Sequence, residues 1–179
     1  ELKAKNATLL AEVERDIEIL KEFSMEANHS FVESAVWADD NGEIGFNQFF
    51  NWHFADAPIV APDFEEEIYL EHKNVTWAIK EMIRTLEFVD KPKFNSGLAV
   101  SFAYRYLIHI VSDLHQPLHA SSYYSKQFPD GDQGGNLILI KHENPQIKNL
   151  HSLWDSCIDV YGSIWAPLNQ TEWELIGQQ

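Results

Sequence analysis

Apolar side chains recur along the first twenty residues as Leu2, Leu9, Leu10, Val13, Ile17 and Leu20, with charged residues between them. That spacing builds an apolar stripe on a helix and leaves the opposite face to water. No capping residue precedes Glu1 and Leu2, so the chain is expected to open inside a helix whose upstream part is missing. A second stripe, Val75, Ile79, Met82, Ile83 and Leu86, predicts a helix over residues 68–89, stopped by Asp90, Lys91 and Pro92. The next helix is expected to start near Asn95 or Ser96. Its sequence, GLAVSFAYRYLIHIVSDLH, is apolar almost all round, which marks a central helix covered by neighbours and ended by Pro117. Earlier in the chain, EIGFNQFFNWHFADAP is aromatic-rich without clean periodicity and reads as an ordered irregular connection. Downstream, PDGDQGGN has turn chemistry, NLILIKH predicts one short strand, and NLHSLWDSCIDVYG returns to helical spacing. The expected fold is mainly α with a short β-hairpin or ribbon, in a single domain over residues 1–179.

Composition narrows the function classes. With 179 residues, 45% of them hydrophobic, the chain can bury a core, which excludes disordered and fibrous classes. No apolar run approaches the roughly 20 residues needed to span a bilayer, and ELKAKN carries no signal-peptide pattern. The formal charge of −15 repels a polyanion, so simple electrostatic binding of nucleic acid is disfavoured unless bound cations reverse the field locally. A single cysteine, Cys157, excludes a disulfide framework within these residues and any cysteine-based zinc finger. A metal site here must use His, Asp or Glu. Asn-x-Ser/Thr sequons occur at Asn6, Asn28, Asn74 and Asn169. Chance would supply about one or two, so the excess favours the secretory pathway.

The stretch HIVSDLHQPLH, residues 109–119, concentrates three histidines and an aspartate. His109 and Asp113 stand four apart, so on a helix both project from one face and can meet at one cation. His151 and Asp155 repeat that spacing on a second predicted helix. His109 lies among Leu107, Ile108, Ile110 and Val111, where a buried imidazole and carboxylate cost several kcal/mol unless they are paired or metal-bound. His119 follows Pro117, where the backbone turns and can aim an imidazole back over the helix end. His115 falls on another face, in a supporting role. Asp39 in VWADD and His53 in NWHFADAP each follow a tryptophan in irregular connections. Spacing leaves both open, Asp39 as helix cap or ligand and His53 as packed core histidine or ligand. An oxygen and imidazole donor set without thiolates fits catalytic rather than structural zinc, with manganese and iron as alternatives.

WADD, WHFADAP, HIVSDLHQPLH, GDQGGN and NLHSLWD, in that order over roughly residues 1–160, resemble the motifs of the zinc-dependent class I nucleases. That family comprises the fungal single-strand-specific and plant bifunctional nucleases. The resemblance implies a mainly helical, phospholipase C-like fold with three zinc ions at the base of a cleft. It implies that Asp39, His53, His109 and Asp113 hold the first zinc, with Asp113 bridging to a second. His119, His151 and Asp155 are similarly implied as the ligands of the third.

The resemblance further implies cleavage of single-stranded DNA and RNA to 5′-phosphate products, with 3′-nucleotidase activity. Asp113 would position a hydroxide made by the bridged metals, and the third zinc would stabilise the leaving oxyanion. Phe54 matches the position of an aromatic shelf on which an unpaired base stacks. Gly134 and Gly135 would let the backbone approach a phosphate, with Asn136 as a polar contact. The family's remaining zinc is held by the N-terminal residue and a nearby histidine. This chain has neither, and it stops at TEWELIGQQ, so it is expected to be a fragment lacking both ends. A partner for Cys157 is expected in the missing part. The implied protein is a secreted or lysosomal/vacuolar monomer with no stable protein partner. Two alternatives are a zinc-dependent phospholipase C, which shares the fold and metal cluster, and a secreted non-catalytic metal-binding glycoprotein.

Overall fold

Asn6 opens the first helix. Its side-chain oxygen accepts the Leu9 N–H at 3.0 Å, and α1 follows over Ala7–Ile17. The computed structural model describes residues 6–23, 30–43, 45, 47–89 and 96–160. The expected opening at Glu1 and Leu2 lies outside those residues, and the helix that is described carries a cap. After Ile17 the chain tightens into a 3-10 turn, Glu18–Phe23. Short helices α2 (Ser30–Glu33) and α3 (Trp37–Glu43) lead to a 3-10 segment at Asn47–His53 and strand β1 at Ala57–Val60. Helix α4 (Val75–Val89) precedes the long α5 (Gly97–His115), which is followed by α6 (Pro117–Ala120) and β2 (Ser121–Tyr124). Helix α7 (Leu150–Asp155) and a 3-10 turn at Cys157–Asp159 complete the described chain. The mainly helical expectation holds.

Three local expectations need correction. The predicted helix over 68–89 begins only at Val75, because the Asn74 side-chain oxygen accepts the N–H groups of Thr76 and Trp77 at 3.1 and 3.3 Å. NLILIKH forms no strand. Its Leu139 makes one antiparallel bridge to Asn149, beside hydrogen bonds from Leu150 N to Ile138 O and from Ile140 N to Lys148 O. The β-ribbon instead pairs β1 with β2 in parallel, Ala57 opposite Ser121 through Val60 opposite Tyr124. Pairing between segments so distant in sequence leaves no hairpin turn to read. The aromatic-rich connection is ordered as expected, mostly as the 3-10 segment at Asn47–His53.

The described residues fall into two compact units. The helical unit spans Leu2–Ala55 and Leu70–His115. Within it, α1, α3 and α4 all pack on α5, the predicted central helix. The core gathers Trp37, Ala38, Val75, Ala78, Met82, Ala103, Tyr106 and Ile110, with Phe49, Trp52, Trp77 and Phe102 against it. Edge-on ring contacts of Trp37 with Phe102 and Tyr106, both at 5.9 Å, fix the start of α3 against α5. Arg105, fully buried on α5, donates to the Ile17 carbonyl at 2.7 Å through a guanidinium nitrogen, and the Ser101 hydroxyl donates to the same oxygen at 3.0 Å. That oxygen belongs to the last turn of α1, where carbonyls lack partners within the helix. The second unit contains Asp56–Tyr69 and the chain from Gln116 onward, and packs Ala61, Phe64, Tyr124 and Ile68 around the β-ribbon. Among the described residues no helix is long and apolar enough to cross a membrane.

Two candidate metal centres

In the helical unit, three elements converge on one point. Helix α5 contributes His109 and Asp113, α3 contributes Asp39 from its first turn, and the 3-10 segment contributes His53 at its end. Asp39, His53 and His109 offer ligand atoms within 4.8 Å of one another. Asp113 adds Oδ2 at 3.0 Å from His109 Nε2 and 3.1 Å from His53 Nδ1. Asp39 Oδ1 lies 3.4 and 3.6 Å from the same two nitrogens. The imidazoles meet edge-on, His53 Nδ1 only 2.9 Å from His109 Nε2. Asp39 is therefore gathered into a cluster rather than left as a cap, and His53 faces that cluster.

The orientation of His109 has a definite cause. Its Nδ1 donates to the Ala35 carbonyl, which turns Nε2 toward the carboxylates. Burial alone would push its pKa down. Hydrogen bonds to Asp113 and Asp39, and their charges, outweigh burial and raise it from 6.5 to about 10. Without a cation the cluster therefore holds a proton on His109. Tyr106, one turn earlier on α5, is pushed up from its ordinary range by burial and then by the Asp39 charge, so its hydroxyl stays neutral.

The second unit holds a separate triad, His119, His151 and Asp155, again with ligand atoms within 4.8 Å. His119 sits on α6, whereas His151 and Asp155 lie four apart on α7. Asp155 Oδ2 is 3.4 Å from His151 Nε2, and its Oδ1 is 3.4 Å from His119 Nε2. His151 Nδ1 donates to the Gly134 carbonyl at 2.7 Å, repeating the device seen at His109. Helix α7 is placed by a reciprocal cap in which Asn149 and Ser152 each bond the other's backbone N–H. Burial raises the Asp155 pKa, but hydrogen bonds from His119 and Gln116 and the histidine charges hold it below its ordinary value.

The loop GDQGGN supports this triad from behind. Gly134 has φ +57°, and an added Cβ would collide with the Leu118 carbonyl oxygen. Glycine is needed there for packing inside the unit, and Gly134 and Gly135 are both buried. Asn136 accepts from the Asn149 amide at 3.2 Å and donates to the Gln133 carbonyl at 3.0 Å, so both ends of its side chain bond within the protein. Phe54, half-buried beside His53, stands edge-on to Phe50 at 5.2 Å. His115 points away, exposed, with Nδ1 bonded to the Val111 carbonyl. Gln116 was not singled out by spacing, yet its amide touches Asp155 at 2.9 Å. The only available sequence signal was its place before Pro117, which forces extended backbone and a turn.

The seven histidines and aspartates expected as metal ligands thus fall into two clusters, four in the helical unit and three in the second, while His115 joins neither. Two imidazoles with one or two carboxylates, each cluster with a histidine turned by a backbone carbonyl, is a donor set that fits a first-row divalent ion. The family model described as S1/P1 Nuclease matches residues 1–170. Endonuclease 4 of Arabidopsis thaliana is 30% identical over 136 residues, covering 68% of this chain and 41% of that protein. Nuclease S1 of Aspergillus oryzae is 27% identical over 128 residues, covering 68% of this chain and 39% of that protein. The chain spans about two fifths of the length of these curated relatives.

Proposed function

Because the chain belongs to the S1/P1 nuclease family, we propose that it is the zinc-binding part of a single nuclease domain that hydrolyses single-stranded DNA and RNA to 5′-phosphate products and acts on 3′-nucleotides. The observation that carries the proposal is the paired construction of the two clusters. In each, a backbone carbonyl holds the outer nitrogen of one histidine, at His109 and at His151, and turns its other nitrogen toward carboxylate oxygens. A divalent cation can take the place that a proton on His109 otherwise fills among these carboxylates, and the second triad presents the same kind of donor set. Asp39, His53, His109 and Asp113 would hold one zinc, and His119, His151 and Asp155 another.

Zinc at such sites supplies a Lewis acid and a bound water acidified toward neutral pH. The protein's part is positioning. Asp113, whose Oδ2 reaches both imidazoles of the first cluster, would hold the ion with them and position the attacking water. Phe54 offers a ring face to an unpaired base, which a duplexed base cannot use. Asn136, whose amide has a second N–H beyond the one given to the Gln133 carbonyl, would be the polar contact to the substrate on the phosphate side. The protein is a monomer of the secretory pathway, secreted or lysosomal/vacuolar, with sugar on some of its four sequons. Asn6 and Asn74 use their side-chain oxygens as helix caps.

Incubation of the native protein with single-stranded DNA, RNA, a 3′-nucleotide and phosphatidylcholine, with and without a chelator, tests this reading. Chelator-sensitive loss of the nucleic acids is expected. Cleavage of phosphatidylcholine alone would replace the nuclease with a phospholipase, and no cleavage of any substrate would replace it with a metal-binding glycoprotein.

A further inference from the structure

Gln116 joins the elements that carry the second triad. Its carbonyl oxygen Oε1 accepts the Leu118 N–H at 2.5 Å and so caps α6, the helix that bears His119. Its backbone carbonyl accepts the His119 N–H itself at 3.0 Å. Its Nε2 donates to Asp155 Oδ1 at 2.9 Å, on α7. The amide has one workable orientation, since rotating it would set oxygen against carboxylate and N–H against N–H. Pro117 holds the backbone before it extended, at φ −83° and ψ 119°, which aims the side chain over the start of α6.

From this geometry we infer that Gln116 is the positioning residue of the His119, His151 and Asp155 site: one amide sets the distance between the helix carrying His119 and the carboxylate of Asp155. The inference rests on the reading that this triad holds a divalent metal. A hydrogen bond to one carboxylate oxygen fixes the rotation of the group and preserves the gap the ion fills. Losses of such supporting bonds weaken metal affinity by about 10–100-fold. The helical unit's cluster shares none of these contacts and serves as an internal control.

Gln116→Asn separates the two functions of the side chain. Asparagine is itself a good helix cap, so α6 keeps its start, but the side chain is one methylene short of Asp155. Gln116→Met removes both bonds while keeping the shape. Cobalt(II) is titrated by its visible absorption into each variant in two backgrounds, His53→Ala to isolate the second triad and His151→Ala to isolate the first cluster. Both variants should bind cobalt about 10–100-fold more weakly at the second triad and match the parent at the first cluster. If Gln116→Asn binds within about twofold of its parent at the second triad, the positioning role is wrong. Equal weakening at both sites would also overturn it, as a general loss of folding. Absence of cobalt binding at the second triad of the parent would instead refute the metal reading on which the inference rests.

Discussion

Metal binding at the first cluster should expel a proton from His109, and its apparent affinity should therefore climb with pH. In the metal-free protein Nε2 of His109 faces Asp113 and Asp39 at 3.0 and 3.4 Å, while Nδ1 donates to Ala35, so both nitrogens carry hydrogen and the pKa is raised to about 10. A metal needs the lone pair on Nε2. At pH 7, three units lower, only about one molecule in a thousand offers it, which lowers apparent affinity about 1000-fold, or about 4 kcal/mol. The His151→Ala protein isolates this cluster. Zinc competition against a chromogenic chelator should give affinity rising about tenfold per pH unit from pH 7 to 9, and calorimetry in buffers of different ionisation enthalpy should count about one proton released per ion. The same interaction sets the pH dependence of metal-free stability. A raised histidine pKa contributes stability that is complete below about 6.5 and lost as pH rises through about 10, a change of up to about 5 kcal/mol. Affinity that is flat between pH 7 and 9, with no proton released, would refute the reasoning.

Phe54→Ala should weaken use of single-stranded substrate by about 1–3 kcal/mol at unchanged metal content. Loss of zinc together with activity would make Phe54 a packing support for His53. Gly134→Ala should destabilise the protein by about 2–4 kcal/mol in urea melts, through its left-handed backbone and the collision with the Leu118 carbonyl. A change below about 0.5 kcal/mol would contradict that packing. Arg105→Ala should cost about 3 kcal/mol or more, because it strips charged hydrogen bonds from the Ile17 carbonyl and leaves a cavity under Trp37. An unchanged denaturation midpoint would show that the Arg105 bonds to the Ile17 carbonyl contribute nothing to holding α1.

What could be read from the sequence follows how local the determinant is. His109 with Asp113, and His151 with Asp155, are pairs within one helix, so spacing alone brings them together. Asp39 and His53 come from a short helix and a 3-10 segment whose course depends on the aromatic core, and only motif resemblance named them as ligands. The central helix was legible because apolar residues cover nearly its whole surface. The NLILIKH strand was misread because β-propensity needs a partner, and the turns at Gly134, Gly135 and Pro145 leave room for a single bridge. The parallel pairing of Ala57–Val60 with Ser121–Tyr124 depends on the tertiary fold and has no local signature. Gln116 was missed for the same reason, since its partner Asp155 lies on another helix.

Elemental analysis of the purified chain after dialysis against zinc tests the central claim most directly. Two independent clusters predict two ions per chain, falling to one in His151→Ala, while the ion held by Asp39, His53, His109 and Asp113 remains. A chain that retains no zinc, or a His151→Ala protein that retains as much as the parent, would contradict it.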